Sequence, residues 1–270
     1  MNYLSVKQSV SIATNKDFIQ RIELLIELIK KDLKRKYKNT FLGILWIFLQ
    51  PFLFAIVFVF IRRSISNNAN LNAVDYLSMY AVLIPWQFFI TSLQRSVDSI
   101  VVNNNLIYRV KFPIILLPLS VVLSSFIDST INLLIYFFLI LFFKKIIFLK
   151  IVNLFFVLLV SGIFISALCI LVALFQCFIQ DLRQIVPFLT KLSMFGLPIL
   201  YGQELIIENF RNFYLNIPIV WMITKTSSIV SGVHSLPNAF TLNIFLISVV
   251  SFLLVYFVFK KMQSFIVDYI

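Results

Sequence analysis

The stretch from Lys30 to Pro51, KKDLKRKYKNTFLGILWIFLQP, decides how the chain is read. The cations Lys30, Lys31, Lys34, Arg35, Lys36 and Lys38 run directly into an apolar segment that begins at Phe41. Lys and Arg cost roughly 2.5–3.5 kcal/mol each at a bilayer centre, yet are favoured at a cytoplasmic membrane surface. Charge therefore stops where lipid would begin, and the pattern predicts a membrane-spanning helix with the N-terminus inside.

The rest of the composition agrees. The 270 residues are 61% hydrophobic and 13% charged, with a mean hydropathy of +0.99. Soluble domains carry about 25% charged residues. A net charge of +12 raises nucleic acid as a partner, but the cations flank apolar segments instead of forming a basic patch interleaved with aromatics. Membrane lipids, anionic head groups or phosphorylated lipids are the expected partners, and no nucleic acid is. A long polar stretch precedes the first apolar run, and Arg62 and Arg63 follow it without a small-residue cleavage site, so the first span is expected to be retained. Cys169 and Cys177 stand about 12 Å apart along one helix, too far for a disulfide within it.

Six stretches have about the 20 residues that roughly 30 Å of hydrocarbon demands. They are Phe41 to Ile61, Tyr76 to Ile100, Ile114 to Phe143, Ile151 to Phe178, Ile185 to Tyr201 and Phe240 to Phe259. Most of the 23 Lys and Arg then fall on the inner side, which makes both termini cytoplasmic. Lys144, Lys145 and Lys150, in an outer loop, run against this placement. The expected architecture is an all-α integral membrane protein with a cytoplasmic N-terminus and interfacial helix over 1–40 and a six-span domain over 41–270. Thr14 and Asp17 have capping-box spacing, with Asp in place of Glu or Gln, and predict the start of the interfacial helix. Phe18, Ile22, Leu25, Ile29, Leu33 and Tyr37 recur every three or four residues, while Lys31, Lys34, Arg35 and Lys38 share another face. Such a helix lies in the membrane plane, as an anchor or as a contact for substrate or partner. The outer segment Gly202 to Asn238 holds apolar pieces too short to cross, Leu205 to Ile207 and Ile217 to Ile223, broken by Pro218 and Gly232. Short re-entrant helices dipping into the outer leaflet fit it.

The chemistry is defined as much by what is missing. Gly43, Gly162, Gly196, Gly202 and Gly232 are the only glycines, and none forms a phosphate-binding loop with Lys and Ser or Thr. Energy from ATP must come through another chain, and no cofactor or metal is expected in this one. His234, the only histidine, reads as a loop residue. Asp128 lies near the middle of the third expected span beside Ser124, Ser125, Ser129, Thr130 and Asn132. An interior polar network and a part in substrate passage are both open to it, whereas proton coupling lacks a His or Lys relay. Pro51, Pro85, Pro118, Pro187 and Pro198 interrupt the expected spans, as static or moving kinks. Trp46 and Trp221 suit the aromatic belts at the membrane surfaces.

Several of these residues form motifs. Lys31 to Lys38, then Leu42-Gly43, Trp46 and Leu49-Gln50-Pro51, resemble the opening of the membrane subunits of bacterial ABC polysaccharide exporters. The likeness continues through Pro85-Trp86-Gln87-Phe88-Phe89, Asn105-Leu106-Ile107, Lys111-Phe112-Pro113, Leu117-Pro118-Leu119-Ser120 and Asp181. It covers most of the chain to about Tyr201. Val82 stands where the family often has Gly, and Gln180 where Arg usually precedes the Asp, with Arg183 as a substitute charge.

The resemblance implies a homodimer of six-span subunits in the bacterial inner membrane, seated on two copies of a cytoplasmic ABC ATPase that binds ATP and Mg. It implies a sugar-chain channel formed mainly by the first and fifth spans. The implied substrate is a polysaccharide on undecaprenyl diphosphate, O-antigen foremost, with capsule or teichoic acid as alternatives. Lys31, Lys34, Arg35 and Lys38 are then candidates to hold the diphosphate. Tyr80, Trp86, Tyr136 and Tyr201 are candidates to stack on sugar rings. Asn105, Tyr108, Arg109, Lys111, Asp181 and Arg183, on the two inner loops, are candidates to couple to the ATPase. A membrane enzyme acting on lipid-linked sugars, the competing class, would need a clustered acid or metal site that the sequence does not display.

Overall fold

The computed structural model describes residues 3–38, 40–66, 73–109, 112–142, 148–199, 201, 213–232 and 238–269. Among the described residues all regular structure is helical: α1 (Tyr3–Tyr37), α2 (Trp46–Ser66), α3 (Ala73–Ser96), α4 (Asn104–Arg109), α5 (Leu116–Phe142), α6 (Phe148–Gln176), α7 (Leu182–Gly196), α8 (Pro218–Ser231) and α9 (Asn238–Tyr269). Single 3-10 turns at Gly43–Leu45 and Val101–Asn103 lead into α2 and α4. Lys111, Lys144, Lys145, His234 and the piece Leu205 to Ile207 lie outside the described residues.

Among the described residues, five segments are long and apolar enough to cross a bilayer: Gly43–Arg62, Asp75–Ser96, Leu116–Phe142, Leu149–Gln176 and Thr241–Gln263. They match the first to fourth and the sixth of the expected spans. The expected fifth is α7, whose 15 residues extend only about 22 Å at 1.5 Å per residue. Leu197 breaks the helix with an extended backbone (φ −95°, ψ 145°), the conformation that a following proline, Pro198, imposes. Helix α8 is shorter still at 14 residues, begins on Pro218 at its first turn and stops at Gly232 (φ 72°).

The core forms around α3, which touches α2, α5, α6, α7 and α8. Its spanning window has the lowest mean hydropathy of the five, 1.3, and the highest buried share, 67%; for α9 the figures are 2.5 and 22%. A span wrapped by protein can carry Gln87, Ser92 and Ser96, whereas one facing lipid must be apolar throughout. The short α8 also packs on α3 and α6, with Trp221, Met222 and Ile223 fully buried. Trp221 is thus a core residue and not part of a surface belt. Lys150 of α6 donates to the Val230 carbonyl at 3.3 Å, near the C-terminus of α8. The cation that ran against the charge pattern therefore has a local use.

Of the expected proline kinks, Pro51, Pro85 and Pro187 lie inside helices. Pro118 occupies the first turn of α5, where its missing N–H is no loss, and Pro198 lies beyond α7. Helix α1 starts at Tyr3, so the Thr14–Asp17 spacing does not mark its beginning: the backbone before Thr14 is already helical. Its buried side centres on Leu28, which joins Ile100, Ile114 and Leu117 in an apolar cluster, while Phe18 and Ile22 are exposed.

Candidate functional site

The face of α1 that meets α5 carries charge. Asp32 and Lys36 stand one turn apart on α1, as Ser124 and Asp128 do on α5, and the two pairs meet in register. Lys36 Nζ lies 2.5 Å from Asp128 Oδ2, and Ser124 donates its hydroxyl to Asp32 Oδ2. Arg95 of α3 holds the other Asp32 oxygen, Nη2 to Oδ1 at 2.6 Å. Matching over two successive turns means that the end of α1 runs alongside α5 in the same direction. The expected in-plane helix is, at this end, a packed element of the bundle.

These four charges sum to zero. The Asp128 side chain is 8% exposed and its partner Lys36 25%, so each charge offsets part of the cost of burying the other. Asp128 also belongs to a seam on α5. Ser120, Ser124, Asp128, Asn132 and Tyr136 recur every fourth residue, and all are buried. Tyr80 of α3 donates to Asn132 Oδ1 at 2.8 Å. Of the roles left open for Asp128, the interior network is the one observed, and it includes α1.

Where α1 ends and α2 begins, this seam opens into a cleft of about 50 Å³. Lys36, Trp46, Gln50, Gln87, Asp128 and Asn132 are among its walls. Asp128 Oδ1 and the Tyr37 hydroxyl, both buried, have no hydrogen-bond partner among the described residues. Burial first, and then the neighbouring Asp128 carboxylate, push the Tyr37 phenol above its ordinary range. Its hydroxyl therefore stays protonated and able to donate.

The opposite face of α1 presents the expected cations. Lys31, Lys34, Arg35 and Lys38 are all exposed, and Lys31 donates to Asn103 Oδ1 at 2.9 Å. Among the coupling candidates, Asn105 and Tyr108 are exposed on α4 and Asp181 is exposed just ahead of α7. Arg183 Nε reaches Asp98 Oδ2 at 3.0 Å and ties the start of α7 to the turn after α3. Gln94 reinforces this contact by donating to Thr190 at 2.6 Å. Lys111 and the side chain of Arg109 lie outside the described residues.

Three aromatic candidates are corrected. Trp86 is 3% exposed and packs edge-on against Phe54, with a T-shaped angle of 88°. Tyr80 and Tyr136 are equally buried and lie against each other. None of the three offers a ring face to a passing sugar. Tyr201 is partly exposed and donates its hydroxyl to the Gly196 carbonyl at 2.9 Å. The sequence motif around Trp86 thus serves packing, and Val82, in place of the usual Gly, is itself buried.

Asp32, Gln50 and Gln87 entered the sequence reading only as members of motifs, and neither they nor Arg95 were given a role there. A signal existed for two of them: Arg95 falls inside an expected span and Asp32 within a run of cations, and each needs an opposite charge.

No family model matches the chain. Among curated proteins it is 30% identical to an O-antigen export system permease protein RfbA of Myxococcus xanthus over 218 residues, 80% of this chain and 83% of that one. A protein of the same name from Klebsiella pneumoniae is 28% identical over 202 residues, 74% of this chain and 77% of its own length. Extent and motif order agree with five bilayer-length apolar helices. The chain is a multi-pass membrane protein and belongs to the family of membrane subunits, or permeases, of bacterial ABC polysaccharide exporters.

Proposed function

We propose that the chain is the transmembrane subunit of an ATP-driven exporter that moves an undecaprenyl-diphosphate-linked polysaccharide, O-antigen foremost, out of the cytoplasm across the inner membrane. The observation that carries this beyond the family is the exposed cationic face of α1, fixed in place by Asp32 and Lys36 on its other side. Cations on the turns that bear Lys36, which pairs with Asp128 near the middle of the third span, are costly in lipid and gain from an anionic diphosphate brought to them. Arg35 is the foremost contact, because its planar fork engages two phosphate oxygens at once. In this reading α7 is a sixth crossing, α8 enters and leaves on the outer side, and both termini are cytoplasmic. ATP and Mg are bound by a separate ATPase, two copies of which serve a homodimer of this chain. The exposed apolar rows of α2 (Leu53, Val57, Phe60) and α7 (Phe188, Leu192, Phe195) support a subunit contact along those helices.

Cells lacking the chain should lose surface polysaccharide and accumulate lipid-linked precursor. Arg35→Lys should lower export at equal protein level and Arg35→Gln should lower it further. Wild-type export by both variants would assign the cations to membrane orientation alone.

A further inference from the structure

We propose that the cleft between α1, α2, α3 and α5 binds the hydroxyl edge of the sugar joined directly to the diphosphate. This rests on the export reading and names what a second part of the same substrate would touch. Lys36 and Tyr37 line the cleft from one face of α1, and Lys34, Arg35 and Lys38 occupy the other face of the same turns. The two faces are separated by the width of the helix, about 10 Å with side chains, so a diphosphate on the cations and a sugar in the cleft would meet around the C-terminal end of α1, where the cleft opens. The mouth is marked by Gln50, which is exposed, and by Trp46, 42% exposed.

The chemistry of the walls suits a hydroxyl and little else. A volume of about 50 Å³ takes a few water-sized groups, enough for ring hydroxyls but not for a whole ring. Asp128 Oδ1 is a buried acceptor without a well-formed hydrogen bond, beside the Tyr37 hydroxyl, in a residue only 6% exposed. Because Asn132 Oδ1 already accepts from Tyr80, its amide nitrogen is left as a donor, and Gln87 supplies both kinds of group. A phosphate would meet the Asp128 carboxylate and be repelled. An acyl chain would leave these polar groups unsatisfied. A sugar hydroxyl donates to the carboxylate and accepts from an amide at once.

The test uses the full-length chain with its ATPase partner in lipid nanodiscs. Two probes are titrated, a short polyprenyl diphosphate and the same lipid carrying one hexose or one N-acetylhexosamine. The wild-type protein should bind one of the glycosylated lipids about tenfold more tightly than the bare one, the scale of a single well-made buried hydrogen bond. Gln87→Leu should abolish that difference while leaving affinity for the bare lipid intact. Gln50→Leu, at an exposed position, serves the same purpose if Gln87→Leu is poorly folded. Equal affinity for the bare and both glycosylated lipids, or full discrimination retained by the folded variants, overturns the proposal. Failure of every lipid to bind, with surface polysaccharide unaffected by deletion of the chain, overturns the export reading instead.

Discussion

Asp128 shows how a single residue can be legible while its partner is not. A lone carboxylate in an apolar run stands out, because an unpaired charge in a bilayer is too costly to be incidental. Lys36 does not stand out, since it sits among five other cations that periodicity assigns to a solvated surface. The two are 92 residues apart, and no local pattern joins them. Removing one member of such a pair strands the other, so Asp128→Ala should lower unfolding stability by about 3 kcal/mol. The double change Lys36→Met with Asp128→Leu, which removes both charges, should return to within about 1 kcal/mol of wild type. Thermal unfolding of the purified protein in detergent measures both. Equal destabilisation by the single and double changes would mean that the contact has no pairwise value.

Five spans were readable from length and hydropathy, but α1 was readable only in part. Its cationic face was correct, and its buried face was displaced because Asp32 and Lys36, polar by any scale, point inward. The joint between α1 and α2 depends on Gly43, whose φ of 51° is the left-handed conformation. A Cβ there would touch nothing within 4 Å, so the demand is on backbone shape alone. Gly43→Ala should therefore cost about 1–2 kcal/mol in thermal unfolding, and Gly43→Asn clearly less, since Asn tolerates this region. At the other joint, Arg183 is 67% exposed, and its bond to Asp98 should contribute under about 1 kcal/mol to stability. Its expected effect is on coupling. Arg183→Glu should reduce export at normal protein level, and adding Asp98→Lys should restore it. Unchanged export in Arg183→Glu would remove this contact from the coupling path.

For the whole molecule, composition and charge asymmetry named the class, yet the number of crossings hangs on α7, which hydropathy cannot settle at 15 residues. If α7 crosses, the residues at its two ends face opposite sides of the membrane. In a chain with Cys177 replaced by Ser, an impermeant maleimide should label Phe213→Cys in intact spheroplasts but Asp181→Cys only after lysis. Labelling of both from one side would reduce the count to five. The pairing of α1 with α5 also has a meaning for synthesis. At about 5–20 residues per second, the segment bearing Asp128 is made between about 5 and 20 seconds after Lys36. Within that interval α3 brings Arg95 to Asp32, and Lys36 waits for α5. The nascent chain thus carries its own counter-charges in advance, and each later span is met on arrival by the ion that lets it stay.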